Sequence, residues 1–136
     1  MAITITQSED VLNTAFYAGW GSTTPIAWGN VPFTPPDSNS WVRFTVRVGD
    51  SDQTSLGPEG CRRFQRNGRV FVQIFTFEAE QGTTLGTALV DSVLSIMEGK
   101  NFSSIYTLAA DVTGIGPDGK WYQTNVSIPF WYHAIK

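Results

Sequence analysis

The sequence is short of charge and shorter still of the groups that do chemistry. Asp, Glu, Lys and Arg together make up only 15% of its 136 residues, where an ordinary soluble domain carries roughly 25%. There is one histidine, His133, and one cysteine, Cys61. A lone cysteine excludes an intrachain disulfide and a cysteine-based zinc site, and fits a reducing compartment. A lone histidine near the end of the chain is a poor catalytic base, because nucleophile, base and orienting group must sit within hydrogen-bond reach of one another. His133 follows Tyr132 at an expected strand terminus, where a surface imidazole is the plainer reading. Long apolar runs are absent too, none approaching the roughly 20 residues that cross a bilayer. The opening Met1-Ala2-Ile3-Thr4-Ile5-Thr6 has neither the charged nor the apolar region of an export signal. The expectation is a chain that is neither exported by a signal peptide nor membrane-spanning.

What the sequence does have is apolar and aromatic surface, with 41% hydrophobic and 13% aromatic residues. A chain of this length buries roughly two-thirds of its unfolded surface around one core, so residues 1–136 read as a single domain. So many rings with so few charges exceed what a monomer readily hides, which points to partner surfaces. The net charge of -3 offers no general attraction to nucleic acid or anionic lipid. Its distribution is uneven: all six arginines lie between Arg43 and Arg69, and Arg62, Arg63, Arg66 and Arg69 form a cluster.

Thr6 and Glu9 have the spacing of a capping box, predicting a short helix to about Ala18 with Leu12, Ala15, Phe16 and Gly19 on one face and Gly19 and Gly21 as its stop. Pro25, Pro32, Pro35 and Pro36 make the next segment an ordered extended loop, with an edge strand around Pro25 to Trp28. Trp41 to Val48 alternates, with Val42, Phe44, Val46 and Val48 on one side and Trp41, Arg43, Thr45 and Arg47 on the other. Arg69 to Glu78 is a second strand with both faces apolar, Val70, Val72 and Ile74 opposing Phe71, Phe75 and Phe77. Helices should cover one of its faces and another chain the other. Gly49 to Gly68 reads as a long loop that orders on assembly. Thr84 to Gly99 is helical in period, with Leu85, Ala88, Leu89, Val93, Ile96 and Met97 forming the apolar stripe. A last hairpin, Ser104 to Val112 and Lys120 to Tyr132, turns around Gly116-Pro117-Asp118-Gly119 and points Tyr122, Thr124, Val126, Ile128 and Phe130 at the core. The order of elements predicts an α+β fold: an antiparallel or mixed β-sheet, two α-helices on one face, and a long loop between two central strands.

Candidate chemistry is thin. Asp50 with Asp52 and Glu78 with Glu80 are the closest carboxylate pairs, but no third acidic residue completes a hard-cation site beside either. The turns Gly57-Pro58-Glu59-Gly60, Gly82 to Gly86 and Gly114-Ile115-Gly116 match neither a phosphate loop nor a dinucleotide fingerprint. No catalytic residue, cofactor site or metal site is assigned. The arginine cluster, with Phe64 interleaved, suits either a neighbouring subunit's carboxylates or nucleic-acid phosphates. Trp20, Trp28, Trp41, Trp121 and Trp131 suit either interface anchoring or a sugar-stacking platform.

Several blocks carry a resemblance: Ala27-Trp28-Gly29-Asn30-Val31-Pro32-Phe33-Thr34-Pro35-Pro36, Trp41-Val42-Arg43, Ser55-Leu56-Gly57, Arg69-Val70-Phe71-Val72-Gln73-Ile74-Phe75, and Asp118-Gly119-Lys120-Trp121-Tyr122-Gln123-Thr124-Asn125-Val126-Ser127-Ile128-Pro129-Phe130. Together they resemble the tail terminators of long-tailed, siphovirus-type bacteriophages. The resemblance implies a non-enzymatic virion protein without a cofactor, made in the host cytoplasm. It also implies a homo-hexameric ring on the head-proximal end of the tail tube, which halts tube polymerisation and docks a neck or head-completion protein. DNA would pass through the lumen without its sequence being read, and no membrane is involved. The interface expected from strand parity and arginine distribution comprises Trp41, Arg43, Arg47, Arg62, Arg63, Arg66, Arg69, Phe71, Phe75 and Phe77. Alternatives are another neck or tail-completion protein, a tryptophan-based carbohydrate-binding module, and a small hydrolase centred on His133 or Asp50.

Overall fold

A computed structural model describes residues 4–29, 31–35, 39–77, 82–118 and 121–136. Glu78 and Glu80, Asn30 and Pro36, and Gly119 and Lys120 of the last expected turn lie outside the described residues.

Helix α1 runs over Ile5–Trp20. Its capping box lies two residues earlier than the Thr6/Glu9 spacing predicts. The Thr4 hydroxyl accepts from the Gln7 amide at 3.1 Å, and the Gln7 side chain accepts from the Thr4 amide at 3.0 Å. Both spacings fit the motif, and the earlier start adds helical hydrogen bonds. Ser8, Leu12, Phe16 and Trp20, each four residues apart, form the buried stripe. Gly21, at φ 60°, ends the helix and donates to the Tyr17 carbonyl at 2.8 Å. Gly19 is no part of the stop: a Cβ there would lie 2.7 Å from Ile96, so its bareness lets the two helices approach.

Among the described residues the other elements are β1 (Ile26–Trp28), β2 (Trp41–Gln53), β3 (Arg63–Phe77), α2 (Gly82–Met97), β4 (Asn101–Phe102), β5 (Ile105–Thr107), β6 (Asp111–Asp118) and β7 (Trp121–Ile135). They give the α+β fold the sequence predicts, with a mixed seven-stranded sheet. The strand order is β1-β2-β3-β7-β5-β4, with β6 also on β7; β1 is parallel to β2 and the other pairs are antiparallel. β3 lies between the two longest neighbours, paired with β7 without interruption from Arg63↔Ile135 to Phe77↔Trp121.

The long loop expected from Gly49 to Gly68 is mostly strand. β2 continues past a bulge between Val48 and Ser51 to Gln53, β3 begins at Arg63, and only residues 54–62 connect them. Gly, Ser and Asp have low strand propensity, but the far end of β7 supplies a ready template for this part of β3. The single strand expected from Ser104 to Val112 is split in two. A tight turn with positive φ at Ser103 and Ser104 joins β4 to β5, and β6 follows separately. β6 carries a bulge between Gly114 and Gly116, so Gly116 and Pro117 belong to the strand instead of the turn.

Both helices pack on one face of the sheet. Leu12, Phe16 and Trp20 from α1 and Leu89, Val90, Val93 and Met97 from α2 meet Val42, Phe44, Val70, Val72, Ile74, Val126, Ile128, Phe130 and Tyr132. Ala88, expected on the α2 stripe, is exposed. At the end of α2, buried Thr107 donates its hydroxyl to the Met97 carbonyl and accepts from the Lys100 amide at 2.8 Å, tying helix to sheet.

Gly68 makes the centre of the sheet possible. It lies between Val48 and Phe130, and a Cβ on it would meet the Arg47 carbonyl oxygen and lie 2.5 Å from the Phe130 ring. The backbone oxygen cannot retreat without breaking the β2–β3 ladder. Gly68→Ala should therefore destabilise the protein by about 1–3 kcal/mol, the usual range for overpacking, read from urea midpoints. Gly57→Ala in the exposed connection has no steric neighbour, but its φ of 145° adds strain, which makes it a control for backbone strain without overpacking.

Candidate functional site: the uncovered face of the sheet

Side chains on β2, β3 and β7 alternate, so the residues between those of the core project from the face opposite the helices. Registered rows run across it. Trp41 pairs with Phe75 and Gln123, Arg43 with Gln73 and Asn125, Thr45 with Phe71 and Ser127, and Arg47 with Arg69 and Pro129. β6 extends two rows with Thr113 beside Asn125 and Asp111 beside Ser127.

One end of this face is closed by the chain itself. Trp41 stacks on Phe75, ring centroids 4.2 Å apart, and Phe33 and Trp121 pack around the pair at 5.1 and 6.1 Å from Trp41. Trp41 and Phe75 are buried as a result, at 4% and 8% exposure. The sequence predicts another chain over this side of β3. Instead, Phe33 from the proline-rich segment and Trp121 cover part of it, a contact that strand alternation cannot reveal because it depends on where a loop folds back.

The middle stays open. Phe71 is half-buried, Arg43, Arg47 and Arg69 are exposed, and Thr45, Gln73 and Asn125 lie between them around a shallow hollow of about 510 Å³. Arg43 lies over the Trp41 ring at 5.7 Å. Arg69 donates to Ser127 at 2.8 Å and to Asp111 at 3.5 Å. At the far end Trp131 stacks on Tyr106 at 4.6 Å, with His133 edge-on at 5.0 Å.

The structure thus brings together Trp41, Arg43, Arg47, Arg69, Phe71 and Phe75, with Phe77 beside Trp121 at the closed end. It divides the arginine cluster. Arg63 shares the open face, in register with Ile135, whereas Arg62 and Arg66 flank Phe64 on the opposite side at 5.9 and 5.8 Å from its ring. Arg62 is fastened further by reciprocal backbone hydrogen bonds with Lys136 at 3.0 and 2.8 Å. The sequence reading missed Gln73, Asn125 and Tyr106; the parity of their strands was the signal for the first two.

The tryptophans do not form one platform. Trp20 lies in the helix-side core with Trp28 packed against it, Trp41 and Trp121 form the closed cluster, and Trp131 sits with Tyr106. Among the described residues no three His, Cys, Asp or Glu side chains gather where they could hold a metal ion, and no helix is long and apolar enough to cross a membrane.

Fold and face together define an α+β protein whose mixed sheet is sealed by helices on one side and presents arginines around a half-buried phenylalanine on the other. Residues 9–130 match the family model described as phage tail terminator protein, and the chain belongs to that family. The family is structural, so this is a protein of the phage tail that works through contacts with other tail and neck proteins. A solved structure bearing no descriptive name is similar over 94% of this chain and 95% of its own, with 16% identity and a TM-score of 0.63. At that identity the likeness concerns the fold. No curated protein matches the sequence.

The closed cluster and the open arginines differ in what they contribute to stability. Trp41→Ala should lower it by about 3–5 kcal/mol, as for other buried large aromatics. A double-mutant cycle on Arg69 and Asp111, exposed at 48% and 73%, should give no more than about 1 kcal/mol and shrink with added salt. Chemical denaturation of the two series checks both.

Proposed function

We propose that this tail terminator acts as a homo-hexameric ring, residues 1–136 forming one domain per copy, which caps the head-proximal end of the tail tube and stops its polymerisation. The ring then receives a neck or head-completion protein, and DNA passes through its lumen without sequence-specific contact. Synthesis takes place in the host cytoplasm before assembly into the virion.

The observation that carries this reading is the uncovered middle of the sheet, where half-buried Phe71 lies among exposed Arg43, Arg47 and Arg69. An aromatic ringed by arginines is the composition of a protein interface, with the ring as anchor and the guanidinium groups as planar donors to carboxylates. Trp41, Phe75 and Phe77 flank that surface at its closed end. Arg62, Arg63 and Arg66, on both sides of the far end of β3, reach a neighbouring subunit or the last ring of the tube.

Phe71→Glu and the pair Arg43→Glu with Arg47→Glu test the face. Each should leave the unfolding free energy of the isolated chain within about 1 kcal/mol and yield overlong tubes and unattached heads by electron microscopy. Tails of native length joined to heads would overturn the assignment of this face. The triple change Arg62→Ala, Arg63→Ala, Arg66→Ala examines the far end of β3 separately: normal assembly would remove those arginines from the interface.

A further inference from the structure

The sheet has two edges that the described chain leaves largely unpaired. β1 pairs only with Val42, Arg43 and Phe44, so β2 continues from Thr45 without an outer neighbour among the described residues. Gly29 donates to the Phe44 carbonyl on that outer side at 3.1 Å, and Val46 and Val48, two and four residues further on, aim their backbone groups the same way. A hollow of about 760 Å³ lies alongside, with Val46, Val48, Trp28, Val31 and Ile5 in its lining.

The opposite edge is β6. Leu108 donates to the Pro129 carbonyl at 2.9 Å, so the odd-numbered residues of β7 bond outward on this side. Asp111 and Thr113, in register with Ser127 and Asn125, therefore bond inward, leaving the backbone groups of Val112 and Gly114 directed away from the sheet. Val112 is 49% exposed.

We propose that β6 of one copy adds to β2 of the next, continuing the sheet from subunit to subunit. The inference rests on the ring reading above, and it names the contact that joins the copies. Two different edges meeting is the heterologous contact a ring requires. Rotation about a ring axis preserves strand direction along that axis, and β6 runs opposite to β2 in the sheet, so the two pair antiparallel. Val112 faces Val48, and Gly114 faces Val46. That register uses both outward pairs on each edge and stops short of β1.

Side-chain chemistry agrees on both faces. Val112 lies in the row of Val126, on the helix side, and meets Val48, which also faces that side. Thr113 and Asp111 lie on the open face. Thr113 falls opposite Arg47, and Asp111 falls diagonal to Arg47, within reach of its guanidinium. Asp111 already accepts from Arg69 of its own chain, but at 73% exposure it can accept from a second donor. Arg47 has no acidic partner among the described residues in its own chain.

Thr113 opposite Arg47 is a close, non-hydrogen-bonded pair, the geometry that suits a disulfide. Phage tails assembled from a Cys61→Ser chain mixed with a chain carrying Arg47→Cys, Thr113→Cys and Cys61→Ser, so that most copies keep Arg47, should after mild oxidation give covalent dimers and longer multimers of the altered chain on non-reducing gels. Thr113→Cys with Cys61→Ser should stay monomeric on the same gel. Monomer alone from assembled tails holding the double-cysteine chain overturns the edge pairing. Hydrogen exchange on the unaltered chain is the second measurement: the amides of Val46, Val48, Val112 and Gly114 should exchange at least about tenfold more slowly in tails than in the free chain. A ring, seen by electron microscopy, in which those amides exchange freely overturns the edge pairing and leaves the ring standing. Tails holding the chain in no ring overturn both.

Discussion

The rest of the structure depends on the register between β3 and β7, fifteen residues paired without a slip from Arg63↔Ile135 to Phe77↔Trp121. Because side chains alternate, displacing one strand by a single residue would exchange the two faces of the sheet along its whole length. Val70, Val72 and Ile74 would leave the helices, and Phe71 and Gln73 would replace them. At about 1.5–3 kcal/mol for each large apolar side chain moved from core to water, losing these three costs about 5–9 kcal/mol, comparable to the entire stability of many domains. Gly68 adds a steric lock at the point where Phe130 crosses the strand. With the register fixed, β2 aligns on one side of β3, and β5 and β6 share the other side of β7.

That alternation also decides what each aromatic and each arginine does. The same strand that buries Val42 and Phe44 under α1 turns Arg43, Thr45 and Arg47 outward. Adding Phe33 and Trp121 over Trp41 and Phe75 closes one end of the outer face, and Phe71, one row from Gln73, is left half-covered among guanidinium groups. A chain with 15% charged residues has few ions with which to keep such a surface soluble. Its arginines are concentrated there, where a planar donor can both solvate the free face and bind a partner's carboxylates.

The parts of this arrangement that follow local rules were legible in the sequence. Period two gave the faces of Trp41 to Val48 and of Val126 to Phe130, period 3.6 gave α2, and the clustering of Arg43 to Arg69 gave the arginine-bearing region. The quoted blocks gave the family. What resisted reading was whatever another part of the chain decides. Residues 49–53 look like loop because they are Gly, Asp, Ser and Gln, yet they are strand because β3, held by β7, lies beside them. Thr4 and Thr6 compete for one cap on equal chemistry. The burial of Phe75 depends on a proline-rich segment folding back, and the division of Arg62 and Arg66 from Arg63 and Arg69 requires knowing that β3 starts at Arg63.

The two free edges of the sheet are restrained in ways that bear on assembly. Exposed edges invite unlimited pairing, and proteins restrain them by shortness, bulges and proline. β2 is covered at its start by β1 and bulged after Val48, while β6 is bulged at Gly114/Gly116 and followed by Pro117, which has no amide hydrogen to donate. Each edge therefore presents only two residues, Val46 with Val48 and Val112 with Gly114, in a geometry fit for pairing. So short a ladder is weak for one pair of chains and needs the side-chain contacts on both faces to hold it. Copies in a closed ring gain a second such contact each, whereas a stray pair gains one. An open row of copies has one such contact fewer than a ring of the same number, so under the proposed edge pairing a rotation that closes makes the ring the stable outcome, while the short, bulged edges limit pairing with unrelated strands.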